Sequence, residues 1–232
     1  MKVSAILLAA GSGRRLKSKI SKPLVVIFGK PLIVYSLLAL ERQSRVDEII
    51  VVANAHNQAG IMRLIRQYRI KKVKTVVTGG ALRQDSVRNG LAQVNQRDGL
   101  VLIHDAGRPF IQQSALGQLI SKASKTKAAV LAVPVKATIK SVTKKLLVNK
   151  TFSREALWQI QTPQVFACSL IKRAFKEFGR IPVTDDSSLV EKMGVKVHIV
   201  KGSYSNIKIT TREDILIAEC IARGNQRAWN VK

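Results

Sequence analysis

The sequence predicts a single α/β domain in which helices cover both faces of a mostly parallel sheet. Short apolar runs, rich in β-branched residues, alternate with segments of helical periodicity, and this alternation is typical of βαβ units. The runs are apolar at consecutive positions, as expected of strands that are buried on both faces. A length of 232 residues suits one such domain with a full core, so residues 1–232 are taken as one unit.

Six apolar runs account for the predicted sheet. The first follows Met1 and Lys2 and leads into a glycine-rich loop. Because its apolar stretch is minimal for a signal peptide and no convincing cleavage site follows, we interpret it as a strand. The predicted strands are Val3–Ala9, Glu48–Val52, Val73–Val77, Leu100–His104, Ala128–Val133 and Val195–Val200.

Helical periodicity fills the intervals between these strands. Pro31 suits the first position of a helix, and Leu32, Tyr35 and Leu38 follow it at helical spacing. Similar patterns predict further helices over Gln58–Tyr68, Ser86–Val94, Gln113–Ala123, Ser169–Phe178 and Arg212–Ala222.

One stretch, at about 136–159, breaks the alternation and predicts a protruding β-arm. Within it, Thr138–Val142 and Leu146–Val148 have the pattern of two strands of an exposed hairpin. An excursion of this length needs a surface to pack against. A partner subunit would supply one, which makes this a predicted dimerisation arm, and folding of the arm onto its own domain is the alternative.

The charge of the chain is strongly positive. Its formal net charge is +26, which predicts attraction to polyanions such as phosphate compounds, nucleic acids or an anionic membrane surface without choosing among them. Basic residues crowd one stretch but alternate with apolar positions, so we interpret them as a solvated basic face. They are Lys122, Lys125, Lys127, Lys136, Lys140, Lys144, Lys145, Lys150 and Arg154.

The cysteines and the hydropathy pattern exclude several classes of protein. Cys168 and Cys220 are far apart and form no metal-ligand motif, which argues against a disulfide framework and a zinc site and fits a reducing cytoplasm. No apolar run approaches the roughly 20 residues that a membrane-spanning helix needs, so no membrane partner is expected.

A glycine-rich loop directly follows the first predicted strand. It reads Leu-Ala-Ala-Gly-Ser-Gly-Arg-Arg from Leu8 to Arg15, and Lys22 follows. Small residues let backbone N–H groups approach an anion, and Arg15 and Lys22 add positive charge, so the loop predicts a phosphate cradle. The third glycine of a dinucleotide fingerprint and the Gly-Lys-Ser/Thr ending of a P-loop are absent. A tight turn with surface arginines is the alternative.

Two further motifs follow later strands. Gly79 and Gly80 precede Ser86, which either caps a helix, the interpretation that local sequence favours, or bonds the edge of a base. Asp105 and Arg108 come just after the fourth strand, where open α/β sheets bind ligands. Asp105 suits Mg²⁺ or a ribose hydroxyl, with an Asp-stabilised turn as the alternative.

Three polar features have ordinary structural explanations when each is considered alone. His104 is interpreted as a packed strand residue and not as a base. Asp185 and Asp186 resemble a helix cap. Lys208, which alternates with two isoleucines, either faces water or projects toward a site.

Taken in order, the motifs resemble those of the 2-C-methyl-D-erythritol 4-phosphate cytidylyltransferases, a family of the non-mevalonate isoprenoid pathway. The resemblance runs from Val3 to about Ala218. It rests on Leu-Ala-Ala-Gly-x-Gly with Arg15 and Lys22, Gly-Gly with Arg83 and Ser86, His-Asp-Ala-x-Arg-Pro, Gln-Thr-Pro-Gln, Thr-Asp-Asp and Asn-Ile-Lys-Ile-Thr.

The resemblance implies a Rossmann-like nucleotidyltransferase domain that joins CTP to an alditol phosphate with the help of Mg²⁺. The implied acceptor is 2-C-methyl-D-erythritol 4-phosphate, and the implied products are 4-diphosphocytidyl-2-C-methyl-D-erythritol and pyrophosphate. It implies a homodimer, formed through the arm, in which some acceptor contacts cross between subunits. The implied residues fall into four groups: catalytic Arg15, Lys22, Arg154 and Lys208; nucleotide-binding Ala9, Ala10, Gly11, Gly13, Gly80, Ser86 and Asp105; acceptor-binding Arg108, Thr138 and Arg154; and Asp105 as a metal ligand.

Two positions depart from the pattern of the family. Ala137 stands where Asp is common, and Leu24 stands where Gln is common. Ala137 is next to an implied acceptor contact, and related cytidylyltransferases that act on ribitol 5-phosphate carry much the same motifs. Ribitol 5-phosphate or another sugar or alditol phosphate is therefore an alternative acceptor. A nucleic-acid-binding protein is the alternative of a different class. It rests on the positive charge alone, since aromatic residues make up 5% and no RNA-binding motif is found, so no specific nucleic-acid partner is expected.

Overall fold

A computed structural model describes residues 1–11, 13–16, 20–95 and 99–224 of the chain. Most strands coincide with the apolar runs of the sequence. The strands are β1 (Lys2–Leu8), β2 (Val26–Ile27), β3 (Lys30–Pro31), β4 (Glu48–Ala53), β5 (Val73–Thr78), β6 (Gly99–Asp105), β7 (Ala128–Pro134), β8 (Lys140–Val142), β9 (Val148–Thr151), β10 (Trp158–Ala167) and β11 (His198–Lys201).

Helices connect the strands of the main sheet, as the periodicity predicted. Short 3₁₀ turns at Arg14–Leu16 and Lys22–Leu24 follow the glycine loop. Among the helices of the described residues, none is long and apolar enough to cross a membrane. The helices are α1 (Leu32–Arg42), α2 (Gln58–Gln67), α3 (Arg83–Ala92), α4 (Gln113–Thr126), α5 (Cys168–Phe178), α6 (Ser187–Glu191) and α7 (Arg212–Gly224).

The main sheet confirms the predicted α/β class. Its strand order is β11-β7-β10-β6-β1-β4-β5, and β10 runs antiparallel to both of its neighbours while the other pairings are parallel. Alternate side chains point to opposite faces. Leu7 therefore packs with α1, α2 and α4 on one face, and Ile6 packs with α3, α5 and α6 on the other.

The parallel strands bring their carboxyl ends to one edge of the sheet. Leu8 at the end of β1 pairs with Asp105 at the end of β6 and with Val52 of β4, and Ala53 pairs with Thr78 at the end of β5. The glycine loop, the second glycine turn and Asp105 consequently lie side by side. This is the edge where open α/β sheets bind ligands.

The predicted arm contains a two-stranded hairpin. β8 and β9 pair antiparallel around a turn in which Leu146 has a φ of 62°. Because that turn includes residues 143–147, the second strand begins at Val148 and not at Leu146 as predicted, and the first begins at Lys140. β10 begins at Trp158, so the last two residues of the predicted arm pair with β7.

Several predicted boundaries were wrong. Helix α1 begins at Leu32, one residue later than Pro31 suggested, and β11 begins at His198, later than Val195. Helix α3 begins at Arg83, three residues before the predicted start, because the Asp85 carboxylate accepts the backbone N–H of Leu82 and stabilises an earlier first turn. Strand β10 was not predicted, and helix α6 was predicted only at its start, through the helix cap at Asp185 and Asp186.

Candidate active site

The glycine loop after β1 is held by hydrogen bonds from two asparagine side chains. The side-chain amide of Asn57 donates to the carbonyl of Ala9 at 2.9 Å, and that of Asn54 donates to the carbonyl of Ala10 at 3.0 Å. Gly13 has a φ of 63°, and a Cβ there would lie 2.7 Å from the Cβ of Lys22. Glycine is therefore required where the loop passes Lys22. Ser12, which belongs to the quoted motif, lies outside the described residues.

The second glycine turn is fastened by Ser86. Its hydroxyl accepts the N–H of Gly80 at 3.2 Å and lies 3.3 Å from the carbonyl of Leu82, to which it donates. The capping role that local sequence favoured for Ser86 is wrong, because Leu82 precedes the helix and Ser86 lies in its first turn. A Cβ on Gly79 would lie 2.4 Å from that of Ala10, so this glycine lets the two loops approach.

Positive side chains gather beside the glycine loop. Burial, followed by repulsion from Lys208, lowers the pKa of Lys22 to about 8, and Arg15 lowers it further while Asp105 opposes the shift. Lys22 is therefore an ammonium whose charge is poorly compensated by the protein. Such a group gains stability when an anionic ligand approaches.

Asp105 carries the negative charge at the centre of the site. Its Oδ2 lies 2.6 Å from the Nζ of Lys208, and its Oδ1 lies 3.1 Å from the Nε of Arg83. Burial disfavours the carboxylate, but Arg83 and Lys208 outweigh burial and hold the pKa of Asp105 well below its ordinary value. Asp105 is consequently an anion at every physiological pH.

His104 is a packed strand residue, as predicted. It is fully buried, and burial lowers its pKa to about 4, so the imidazole is neutral at pH 7. Its Nε2 lies 2.9 Å from the carbonyl of Arg108, which only accepts, so Nε2 bears the proton. Its Nδ1 then accepts the hydroxyl of Thr162, which in turn accepts the N–H of Asp105 at 3.1 Å. These bonds fix the turn from Asp105 to Arg108.

The loops enclose a cleft of about 690 Å³ at the carboxyl edge of the sheet. A nucleoside triphosphate fits a pocket of this size. Nearly all the residues predicted for the nucleotide and its reacting phosphates line it: Ala9, Ala10, Gly11, Gly13, Arg15, Lys22, Gly80, Ser86, Asp105 and Lys208.

A second pocket of about 350 Å³ adjoins the cleft and contains Arg108. The guanidinium of Arg108 is buried and donates from Nη1 to the carbonyl of Asn206 at 2.8 Å. Within the described part of the chain its Nε has no hydrogen-bond partner. Arg108 is thus a cation with unused donor capacity beside Asp105 and Lys208.

The remaining predicted acceptor contacts lie elsewhere. Thr138 and Arg154 are exposed residues of the arm, and neither lines the cleft or the second pocket. The guanidinium of Arg154 donates to the carbonyl of Lys136 at 2.8 Å. One chain therefore does not bring these two residues to Asp105.

A divalent cation would find few ligands from the protein alone. No group of three or more His, Cys, Asp or Glu side chains is arranged for a metal in residues 1–11, 13–16, 20–95 and 99–224. Mg²⁺ is commonly held by one or two carboxylates together with substrate phosphates. Asp105 fits that role if Lys208 releases its Oδ2.

Comparison with known proteins identifies the family. The family model described as 2-C-methyl-D-erythritol 4-phosphate cytidylyltransferase matches residues 3–224. The chain belongs to this family. A relative of that name from Alkaliphilus metalliredigens is 42% identical and covers 98% of each chain. One from Halalkalibacterium halodurans is also 42% identical, over 98% of this chain and 100% of its own.

Solved structures give the same family. The crystal structure of 4-diphosphocytidyl-2C-methyl-D-erythritol synthase from Anaerococcus prevotii has a TM-score of 0.85 and 34% identity, over 96% of each chain. The 2-C-methyl-D-erythritol 4-phosphate cytidylyltransferase of Thermus thermophilus has a TM-score of 0.79 and 28% identity, over 96% of this chain and 100% of that one. The predicted nucleotidyltransferase fold and family are confirmed.

Sequence reasoning on this cytidylyltransferase family member missed three partners of the site. Arg83 and Thr162 were quoted in motifs but given no role, and Asp186 was interpreted only as part of a helix cap. Arg83 and Thr162 contact Asp105 directly, and Asp186 contacts it through Arg83. The two departures from the family pattern differ in setting. Leu24 packs against the core, whereas Ala137 is exposed at the base of the arm.

Proposed function

We propose that this protein transfers the cytidylyl group of CTP to 2-C-methyl-D-erythritol 4-phosphate, giving 4-diphosphocytidyl-2-C-methyl-D-erythritol and pyrophosphate. Family membership names the reaction. The observation that carries the assignment is the cleft itself, where a glycine loop and the cations Arg15, Lys22 and Lys208 surround one space. The nucleotide triphosphate is proposed to bind there.

The proposed chemistry is an in-line displacement. A phosphate oxygen of the acceptor attacks the α-phosphorus of CTP, a new P–O bond forms, and the bond to the bridging oxygen breaks so that pyrophosphate leaves with the electron pair. The acceptor phosphate has a second pKa of about 6 and is mostly dianionic at neutral pH, so no general base is needed. The enzyme must instead overcome repulsion between two anions.

Lys22, Arg15 and Lys208 are proposed to overcome that repulsion. The lowered pKa of Lys22 supports this role, because an ammonium that the protein compensates poorly binds an incoming phosphate more strongly. Charge that develops in the transition state meets cations that are already in place. Mg²⁺ is proposed as the cofactor; when bound, it would neutralise part of the triphosphate charge, with Asp105 as its ligand from the protein.

The acceptor is proposed to bind in the second pocket, because Lys208 and the buried Arg108 both line it and would attract the acceptor's phosphate. Arg154 and Thr138 complete this site only if they come from another subunit. The arm supports that proposal, because the hydrophobic side chains of Leu146, Leu147 and Val148 are 83%, 63% and 60% exposed. Burying these side chains against a second copy would favour a homodimer.

A cytoplasmic location is also proposed, because Cys168 and Cys220 are not joined in a disulfide, as expected of a protein in a reducing compartment. The substrates are small phosphates and CTP, which the cytoplasm supplies.

A pyrophosphate-release assay with CTP and Mg²⁺ tests the function. The wild-type protein should turn over with 2-C-methyl-D-erythritol 4-phosphate and far more slowly with ribitol 5-phosphate. Turnover with ribitol 5-phosphate alone would reassign the acceptor and keep the cytidylyltransferase chemistry. Release with neither acceptor would overturn the proposal.

A further inference from the structure

Three side chains line both the cleft and the second pocket: Arg83, Asp105 and Lys208. They form one ion-paired row along the boundary where the two substrates must meet. Each oxygen of Asp105 has its own cation, Arg83 at Oδ1 and Lys208 at Oδ2. The row therefore sets the direction in which the carboxylate points.

The two cations differ in how firmly they are held. The Lys208 side chain is 40% exposed, and its ammonium is a point charge on a flexible stem. The Arg83 guanidinium is bound from behind by Asp186, with Nη1 at 2.9 Å from Oδ1 and Nη2 at 2.8 Å from Oδ2. A bidentate pair of this kind fixes the plane of the guanidinium. Arg83 is thus the immobile end of the row.

Asp186 is itself buried and fixed by the packing around it. Its side chain is 1% exposed and lies at the start of α6. The first turn of α6 is joined to β10, because Ser187 donates its N–H to the side-chain carbonyl of Gln164 and that side-chain amide donates to Asp185. The position of Arg83 is therefore fixed by the packing of α6 against the sheet.

Charge explains why both carboxylates are needed. Burial disfavours the guanidinium, but Asp186 and then Asp105 outweigh burial and raise the pKa of Arg83 above its ordinary value. Each of the three nitrogens of Arg83 already donates to a carboxylate. The single N–H of Nε is given to Asp105, so this bond joins Arg83 to the rest of the row.

We propose that Arg83 is a positioning residue, anchored by Asp186, which holds Oδ1 of Asp105 so that Oδ2 stays turned toward the boundary between the two substrates. This inference rests on the proposed function. The proposal assigns different roles to the two cations that contact Asp105. Lys208 can leave Oδ2 and meet a phosphate, while Asp105 keeps its orientation because Arg83 does not move.

The test uses Asp186→Asn and Arg83→Gln, with Arg88→Gln as the matched control. Arg88 lies on the same helix and also holds the segment before α6, donating to the carbonyl of Gly179 at 2.7 Å, but it lines neither pocket. We expect Asp186→Asn to lower kcat/KM for CTP by about 10- to 100-fold, the usual range for residues that orient a ligand-binding side chain. Arg88→Gln, which changes a side chain that is 46% exposed, should stay within about twofold of wild type.

The double variant tests whether Asp186 acts through Arg83. In Arg83→Gln the buried Asp186 loses its counter-ion, so adding Asp186→Asn should raise the thermal midpoint and leave kcat/KM unchanged. A further multiplicative fall in kcat/KM would show that Asp186 acts independently and would overturn the proposal. Equal activities of Asp186→Asn and Arg88→Gln would reduce the role of Asp186 to stability, which also overturns it.

Calorimetric titration of CTP with Mg²⁺ separates this inference from the proposed function. A wild-type protein that binds CTP but transfers nothing would refute the function, and weaker CTP binding by Asp186→Asn would still support the positioning role. Undiminished CTP binding by that variant would refute the positioning role alone. A wild-type protein that binds no CTP would refute both.

Discussion

The nucleotide cleft and the β-arm are built in opposite ways. In the cleft, loop carbonyls are bonded to Asn54 and Asn57, and Asp105 is buried between two cations. In the arm, the consecutive leucines Leu146 and Leu147 are exposed, and β8 and β9 form a two-stranded sheet separate from the main sheet. One chain thus prearranges the proposed triphosphate site, whereas the predicted acceptor contacts on the arm, Thr138 and Arg154, line neither pocket of the same chain. If the proposal is right, CTP binding depends on the fold of one chain, whereas acceptor binding also depends on the association of two chains.

The largest effect is expected inside the cleft. Lys22→Ala should lower kcat/KM by about 100- to 1,000-fold, the range for removing one group that stabilises transition-state charge. The thermal midpoint should not fall. The folded-state pKa of Lys22 lies below its unfolded value, so at neutral pH the charged ammonium opposes folding and its removal relieves that strain.

Lys30→Ala is the matched control, because Lys30 lies in the neighbouring β2–β3 hairpin and lines neither pocket. Steady-state kinetics and thermal denaturation of both variants make the comparison. An Lys22→Ala enzyme that kept wild-type kcat/KM would contradict the assignment of the cleft.

The arm should give a smaller and more selective effect. Arg154 is proposed to orient the acceptor, so we expect Arg154→Ala to lower kcat/KM for the acceptor about 10- to 100-fold. CTP affinity, measured by calorimetry, should be unchanged because Arg154 does not line the cleft. An equal loss of CTP affinity would mean that the two regions are not separate.

The pH dependence follows from Lys22. Its pKa of about 8 means that the ammonium is present below that pH and is lost as pH rises through it. We expect kcat/KM for CTP to be about tenfold lower at pH 9 than at pH 7. The decline in kcat should come at higher pH, because bound triphosphate favours the ammonium. In Lys22→Arg, whose side chain stays charged, the decline should disappear.

The smallest effect is expected from a substitution in the arm on the stability of a single chain. Leu147→Ser changes an exposed side chain of the arm, so the free energy of unfolding of a single chain should change by no more than about 0.5 kcal/mol. The same change should weaken self-association measured by sedimentation. Marked unfolding would show that the arm packs on its own domain.

The sequence was sufficient for most of the sheet because its strands are buried on both faces and read as apolar runs. Strand β10 was not predicted because polar residues and Pro163 interrupt its apolar pattern, and a proline argues against a central strand. The pairing with β7 shifts register between Ile160 and Gln164, which accommodates that proline. Helix α6 has five residues and is too short to show a helical period.

The site likewise has some features that the local sequence predicts and others that depend on the fold. Glycine loops and the cations near them are local patterns, so Lys22 and Gly13 were predictable. The contact between Arg83 and Asp186 joins residues 103 positions apart, across elements whose packing no local pattern encodes. Long-range ion pairs of this kind require the fold to be known.

Mixing two strongly impaired variants tests the central claim most directly. If each active site combines Lys22 of one chain with Arg154 of the other, a mixed dimer of Lys22→Ala and Arg154→Ala subunits contains one intact site. When equal amounts of the two variants are denatured and refolded together, about half of the randomly formed dimers are mixed. Each mixed dimer has one intact site out of two, so the mixture should recover about one quarter of wild-type activity. Activity that stayed at the level of the two variants alone would contradict a site shared between subunits.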